Sequence, residues 1–315
     1  MIEKTVFILG AGASCPYGFP SGSELREQII SVYVSDFEAY LNARARVKVL
    51  IPQELSKAKE FTDKFRKSTK SIDLFLALNP EFKETGKRAI IFRILRAEKQ
   101  SHFREQSKHK DQDWYTLLFE CMTKGFVKKD DYSRFCENDV SFITFNYDRS
   151  LEHFLYDSLL NSFVGIGGDK IAEQLNRIKV IHVFGKVAPL EWQDRNGVEY
   201  RQEINSVNAD ELIKNLRTIY EGMENPELKE AKDLIGKAKS IYFLGFGYAK
   251  ENLDVLGIPE ILSTGQLVYG TALGLTERKI QEVRSVLQYN SGSKGGVANP
   301  RIDKSDSLAL LSVCL

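Results

Sequence analysis

The sequence predicts an α/β protein in which a Rossmann-like, doubly wound parallel sheet carries a large helical insertion lobe. Three observations support this prediction. Short apolar runs rich in β-branched and aromatic residues end in Gly or Asn, as buried parallel strands do. Helical patterns separate most of these runs. The first two runs are separated by a stretch without a convincing strand, which is too long to be a loop.

Taken in chain order, five runs predict strands, of which the last is the weakest. They are TVFILG (5–10), VSFITFN (140–146), KVIHVFG (179–185), SIYFLGFG (240–247) and LVYGTALGL (267–275). Apolar residues at helical spacing predict helices in RSLEHFLYDSLL (149–160), DELIKNLRTIYEGM (210–223) and ERKIQEVRSVL (277–287). The apolar end of the chain, LALLSVCL, is expected to pack back onto the domain as a helix or a strand.

The stretch between the first two strands predicts a helical lobe. Its helical segments are ELREQIISVYVSDFEAYL, QELSKAKEFTDKFRKSTK, SIDLFLALNP, GKRAIIFRILRAEKQ and DWYTLLFECMTKG. The charged run KAKEFTDKFRKSTK is typical of a solvent-exposed helix face. We therefore expect a single domain over residues 1–315, with a Rossmann-like part at 1–35 and 138–290 and a helical insertion at about 36–137.

The composition excludes several classes of protein. Lys and Arg number 44 against 43 Asp and Glu, so the net charge of +1 gives no support for a nucleic-acid footprint over the whole surface. No pair of the four cysteines has C-x-x-C spacing, so the sequence predicts neither a zinc site nor another metal site. No signal-peptide pattern and no long apolar run is present, and we expect a cytoplasmic protein without membrane association.

The glycine-rich turn after the first strand is the first candidate binding element. Gly10-Ala11-Gly12-Ala13-Ser14 joins a strand to a helical region, where backbone N–H groups favour a diphosphate. Glycine also permits the close approach of a ligand. The pattern is neither G-x-G-x-x-G nor a P-loop, and a tight structural turn without a ligand is the alternative.

Four motifs together resemble the sirtuin fold, in the order in which that family has them. They are GAGAS followed by Gly18-Phe19-Pro20-Ser21, TFNYD (144–148), IHVFG (181–185) and FLGFGYAKENLDVL (243–256). They cover roughly residues 1–35 and 138–275. The second motif is similar to the Thr-Asn-Tyr-Asp box of bacterial sirtuin-like proteins, so the chain resembles the bacterial sirtuin-like NADases of anti-phage defence. The resemblance implies a sirtuin-type sheet.

The resemblance also implies a set of site residues. Asn146, whose amide can orient a water or hold the nicotinamide ribose, is the first catalytic candidate, and His182 is the second. Asp148 matches the family acid near the nicotinamide amide, although an Asp before a helix is also a common N-cap. The implied NAD+-binding residues are Gly10, Ala11, Gly12, Ala13, Ser14, Pro20, Thr144, Asp148, Gly185, Gly245, Gly247 and Asn252.

The histidine is where the sequence departs from the family. The catalytic histidine of sirtuins directly precedes a glycine, and here Phe184 occupies that position before Gly185. His182 lies two residues earlier, so on a strand it points to the same face as Phe184. It suits a general base. The alternative is a hydrogen-bonded histidine of the core.

The four-cysteine zinc module of protein deacylases is absent, so the resemblance favours NAD+ glycohydrolysis to nicotinamide and ADP-ribose over deacylation. It implies that NAD+ is depleted during phage infection (abortive infection), under the control of a partner such as a HerA-type ATPase or a short Argonaute. We expect a homo-oligomer that meets nucleic acid only through such a partner, and the helical lobe is the natural contact surface.

Three other functions stay open. One is a sensor or regulatory subunit that binds NAD+ or ADP-ribose without turnover. Another is an interaction module associated with nucleic acid. An ordinary Rossmann dehydrogenase is the weakest, because it needs an acidic residue about 20 positions after the glycine turn, at the end of a second strand.

Overall fold

The computed structural model describes residues 1–44, 51–103, 110–219, 221, 225–288 and 295–315. The strands are β1 (Thr5–Leu9), β2 (Val140–Thr144), β3 (Lys179–His182), β4 (Ser240–Leu244), β5 (Leu267–Thr271) and β6 (Arg301–Asp303). They form one parallel sheet in the order β3-β2-β1-β4-β5-β6. The predicted α/β class and parallel sheet are confirmed, and the strand order is compatible with a Rossmann-like fold.

The strand β1 lies near the centre of the sheet and is buried along its whole length. Phe7 pairs in register with Phe142 on one side and Tyr242 on the other, and its ring stacks on both at 5.2 Å between centroids. Tyr269 extends the row at 5.0 Å from Tyr242. This aromatic row across four strands fixes their register, since a slip of one residue would turn each ring to the opposite face.

The described residues also form α-helices, here numbered in chain order. They are α1 (Gly22–Arg44), α2 (Ile51–Lys67), α3 (Ile72–Leu78), α4 (Lys83–Gln100), α5 (Trp114–Met122), α6 (Ser150–Ser162), α7 (Gly168–Leu175), α8 (Ala209–Leu212), α9 (Pro226–Lys237), α10 (Lys250–Leu256), α11 (Glu277–Leu287) and α12 (Ser307–Cys314). Polar side chains cap several N-termini, as Ser71 does for α3 and Asp113 for α5.

The lobe is built around α4, which is buried along most of its length. The ring of Phe92 meets Tyr33 and Phe37 of α1 edge to face, at centroid distances of 5.9 and 6.0 Å. This aromatic packing joins α1 to α4 and gives the lobe its own apolar interior. The predicted start of the insertion, at about residue 36, falls inside α1, so the boundary lies within one continuous helix.

The structure also departs from the sequence prediction. The helix predicted over 210–223 is not continuous: α8 ends at Leu212, a 3-10 turn, Ile213–Asn215, follows it, and positions 219 and 221 are helical again. Residues 220 and 222–224 of that prediction lie outside the described residues. The sequence missed β6, which has three residues, and the helices α7, α9 and α10. The apolar end of the chain is helical, as α12.

None of the described helices, in residues 1–44, 51–103, 110–219, 225–288 and 295–315, is long and apolar enough to cross a bilayer.

Candidate functional site

The strand order places the candidate site at the carboxyl ends of β1 and β4. From β1 the chain passes to β2 and β3 on one side, and it later returns to β4 on the other side of β1. In open α/β sheets ligands bind in the crevice outside such a reversal. The segment that follows β1 is the glycine turn, Gly10–Ser14, and the segment that follows β4 is Gly245–Tyr248.

These two segments touch each other through their backbones. The amide of Gly12 donates to the carbonyl of Gly245 at 3.0 Å. A Cβ on Gly10 would lie 2.6 Å from the Gly245 oxygen, and one on Gly12 would lie 2.9 Å from the Gly245 Cα. Gly245 has φ of 56°, and a Cβ there would lie 1.9 Å from the amide nitrogen of Ala13. The sequence indicated that something lies close to the backbone of these glycines. In part, it is the protein's own segment after β4 that lies there.

Two backbone amides of the glycine turn, those of Ala13 and Ser14, have partners inside the turn. The residues Ala11–Ala13 form a 3-10 turn, in which Ala13 N–H donates to the Gly10 carbonyl at 2.9 Å. Ser14 N–H donates to the Ala11 carbonyl at 3.1 Å. Gly12 is exposed and Ala11 is half-buried, so the outer side of the turn faces solvent. Whether this side accepts a diphosphate stays a prediction.

Asn146 lies at the base of the crevice, where the loop after β2 meets the glycine turn. Its Nδ2 donates to the carbonyl of Gly10 and to Ser14 Oγ, both at 3.0 Å. Because a carbonyl can only accept, the amide nitrogen must face Gly10, and Oδ1 is the outer atom. Asn146 is only 8% exposed, and its Oδ1 has no hydrogen-bond partner in the described structure. Thr144 Oγ1 accepts a hydrogen bond from the backbone N–H of Asn146 at 3.0 Å.

Asp148 lies two residues before the first residue of α6, whose N-cap position is held by Arg149. Its Oδ1 accepts from the Ser150 amide at 3.0 Å and also from Ser150 Oγ. Burial raises the pKa of Asp148, and the two bonds from Ser150 oppose that rise. The sequence prediction of Asp148 as the N-cap is one residue off, because the helix begins at Ser150 after Arg149, although the Asp148 side chain does accept from the Ser150 amide. A ligand role for this carboxyl group stays a prediction.

His182 is held by protein atoms at both ring nitrogens. Nδ1 donates to the backbone carbonyl of Asn146 at 2.9 Å, and Nε2 lies 2.9 Å from Glu152 Oε1. Lys186 Nζ reaches the same carboxylate oxygen at 3.0 Å. Burial would raise the pKa of Glu152, but the charges of Lys186 and His182 outweigh it and lower that pKa strongly. His182 is thus placed to support the Asn146 backbone.

Three aromatic residues lie beside the crevice, and of these the sequence analysis singled out only Phe184. Phe184 is buried, and its ring meets that of Phe145 at 5.4 Å. Phe145 is only half-buried and also meets Phe246 at 5.3 Å. A Cβ on Gly185 would lie 1.8 Å from the Asn215 oxygen, so this glycine is required by the chain that crosses it. The sequence signal available for Phe145 was its place inside the TFNYD motif.

The remaining predicted residues divide between the crevice and another part of the fold. Gly247 is exposed beside the crevice, and a Cβ there would meet nothing within 4 Å. Asn252 is half-buried on α10, the helix that follows this segment. Pro20 is buried and lines a cavity between α1 and α4 whose lining includes neither Ser14 nor Asn146.

Metal ligands and reactive thiols were also considered. In the described ranges no three His, Cys, Asp or Glu side chains are arranged to hold a metal ion. The thiols of Cys15, Cys121, Cys136 and Cys314 are free. Burial, with the charges of Glu24 and Asp148, raises the pKa of Cys15 to about 11, so its thiol is protonated at neutral pH.

Comparison with known proteins adds no relative: the chain matches no protein-family model, and no curated protein matches it.

Proposed function

We propose that the protein is a sirtuin-type NAD+ glycohydrolase whose site is the crevice between the ends of β1 and β4. The observation that carries this proposal is the Asn146 side chain. Its nitrogen is fixed by Gly10 and Ser14, and its buried Oδ1 is left without a partner in the described structure. A buried acceptor without a donor is costly, and a ribose hydroxyl or a water molecule would supply that donor.

The reaction requires little acid chemistry from the protein. Water attacks C1′ of the nicotinamide ribose, the bond from C1′ to the nicotinamide nitrogen breaks, and nicotinamide leaves as a neutral molecule. The products are nicotinamide, ADP-ribose and one proton. The leaving group is cationic from the start, so catalysis depends on orienting the water and stabilising the oxocarbenium-like ribose. Asn146 Oδ1 would accept a hydrogen bond from that water or from a ribose hydroxyl.

The first experiment measures nicotinamide release from NAD+ by chromatography, for wild type and two asparagine variants. We expect Asn146→Ala to lower kcat by roughly 100-fold or more, because misplacing a reacting group costs about that much. The matched control is Asn161→Ala, on the exposed face of α6, which should retain wild-type turnover. Equal rates for the two variants would exclude Asn146 from catalysis.

The second experiment tests where the dinucleotide lies, by calorimetric titration with NAD+. Gly247 has ordinary backbone angles and room for a Cβ, so Gly247→Ala should fold normally. If the dinucleotide passes close to this backbone, the new methyl group should weaken NAD+ affinity by about tenfold or more. Gly265→Ala is the control, because Gly265 is also exposed and has room for a Cβ. Equal affinities would move the dinucleotide away from the segment after β4.

A second candidate is a protein that binds NAD+ or ADP-ribose without turnover. The observation that favours it is that both ring nitrogens of His182 have protein partners, while Phe184 holds the position of the family histidine. Saturable NAD+ binding without nicotinamide release would support this reading. Loss of turnover in His182→Ala with unchanged thermal stability would support His182 as a catalytic residue instead.

For the cellular role, we propose a cytoplasmic effector that depletes NAD+ during phage infection. The support is the resemblance of the motifs alone, and the partner would be a HerA-type ATPase or a short Argonaute. Light scattering of the purified chain tests the expected homo-oligomer. Turnover measured with and without each candidate partner tests whether that partner regulates the activity. A monomer that is fully active alone would contradict this role.

A further inference from the structure

A second polar cavity lies in the helical lobe, away from the crevice. Its volume is about 340 Å³, and it lies between α1 and α4 beside the turn at Gly18–Pro20. One face of each helix lines it, since the positions repeat at helical spacing. The charged residues among the described lining are Asp36, Arg93 and Arg96.

The charges of this cavity are unequal. Arg93 and Arg96 of α4 supply two guanidinium groups, and Asp36 of α1 supplies the one carboxylate among the lining residues. Asp36 is shared: it contacts Arg93 Nη2 directly, and Arg96 Nη1 lies 3.5 Å from its Oδ1. The lining therefore carries one net positive charge.

Arg93 is the unusual member of the pair. It is only 4% exposed, and its Nε has no hydrogen-bond partner in the described structure. A buried guanidinium group with an unused donor is unfavourable, because water can no longer solvate it. Burial, together with the charge of Arg96, lowers the pKa of Arg93 to about 10, because both disfavour its positive charge. Nothing in the proposed hydrolysis of NAD+ uses this arginine.

We infer that this cavity is a second ligand site, which binds a small oxyanion such as a phosphate or carboxylate group between Arg93 and Arg96. Guanidinium groups bind such oxygens through charge-assisted hydrogen bonds. The volume suits a small anion or the anionic end of a larger molecule. The bound anion would offset the unequal charge, leaving Asp36 as its competitor for the arginines.

The test uses the full chain and titrates it with inorganic phosphate, and separately with acetate, against chloride at equal ionic strength. Binding is followed by calorimetry and by the shift in melting temperature. Saturable binding of phosphate or acetate beyond the chloride baseline is expected, and the preferred anion identifies the ligand class. No difference from chloride would overturn the inference.

Variants then locate the binding. Arg96→Gln should fold, because its side chain is 58% exposed, and it should weaken anion affinity by about tenfold. Arg66→Gln on α2 is the matched control, since that side chain is also 58% exposed. Asp36→Asn removes the competitor, so it should strengthen anion binding, whereas a purely structural role for Asp36 predicts no gain. Equal affinity in Arg96→Gln and Arg66→Gln would overturn the inference by placing the anion elsewhere.

Discussion

The loop from Asn146 to Arg149 is held differently on its two sides. Its odd-numbered residues reach the helical lobe, where Tyr147 donates to Asp73 and Arg149 binds Glu98. Its even-numbered residues lie on the sheet side, where Asn146 contacts the glycine turn and Asp148 accepts from the amide of Ser150. The lobe side is fully occupied by protein atoms, whereas the sheet side keeps an acceptor free at Asn146 Oδ1.

The ion pair on the lobe side shows how completely the loop is fixed there. The Arg149 and Glu98 side chains are both 0% exposed, and the guanidinium group binds the carboxylate through Nε and Nη2 at 2.9 and 3.0 Å. Arg149 also donates to the carbonyls of Pro189, Val198 and Glu199. We conclude that contacts with the lobe position this loop.

The largest expected effect comes from breaking this pair. Glu98→Ala leaves the Arg149 guanidinium group buried without its counter-charge, which should reduce the free energy of unfolding by about 3–5 kcal/mol. Denaturant unfolding measures the change. The control is Glu203→Ala, which removes the exposed partner of Lys99 and should change stability by less than about 1 kcal/mol. A similar small loss for Glu98→Ala would show that the lobe does not fix the loop.

A smaller loss is expected at the other lobe contact. Tyr147→Phe removes the hydroxyl donor and leaves the half-buried Asp73 carboxyl group without it, at a cost of about 1–3 kcal/mol. Burial raises the pKa of Asp73, and the bond from Tyr147 opposes that rise. The loss should therefore shrink in acid, where Asp73 is protonated. Unfolding at neutral and acidic pH checks this, with Tyr132→Phe as control, and a pH-independent loss would contradict it.

The sequence predicted the parts of this arrangement that depend on local pattern. The apolar runs located β1 to β5, and the glycines located a point of close backbone approach. What approaches Gly10 and Gly12 could not be read locally, since Gly245 lies far along the chain. Three residues are too few to show a strand pattern, which is why β6 was missed.

The contacts that hold the site were beyond local pattern for the same reason. Arg149 and Glu98 are 51 residues apart, and Tyr147 and Asp73 are 74 apart. A charged residue within a helical segment is ordinarily exposed, so Glu98 gave no sign of its burial. The partners of His182 were equally hidden, although the alternative of a hydrogen-bonded histidine was already part of the sequence analysis.

The smallest expected effect is a change in acid sensitivity on the sheet side. The lowered pKa of Glu152 means that its stabilising contribution is complete above its ordinary value of 4.5 and is lost as pH falls toward the folded-state pKa. Glu152→Gln should therefore flatten the fall in stability below pH 4.5, by at most about 1.4 kcal/mol per pH unit. The control is Glu173→Gln, an exposed change on α7.

Asp148 provides a contrast to Glu152, because its pKa is shifted in the opposite direction. Burial raises its pKa, so its carboxylate form disfavours the folded state, and its contribution to stability declines as pH rises above its ordinary value of 3.8. The carboxylate of Asp148 lowers stability more as pH rises, so Asp148→Asn should stabilise the protein most at the upper end of the range. Protonation of Glu152 lowers stability as pH falls, so Glu152→Gln should reduce the fall in stability at the acidic end. Urea unfolding across this pH range separates the two, and slopes of the same sign would show that the two carboxyl groups share one environment.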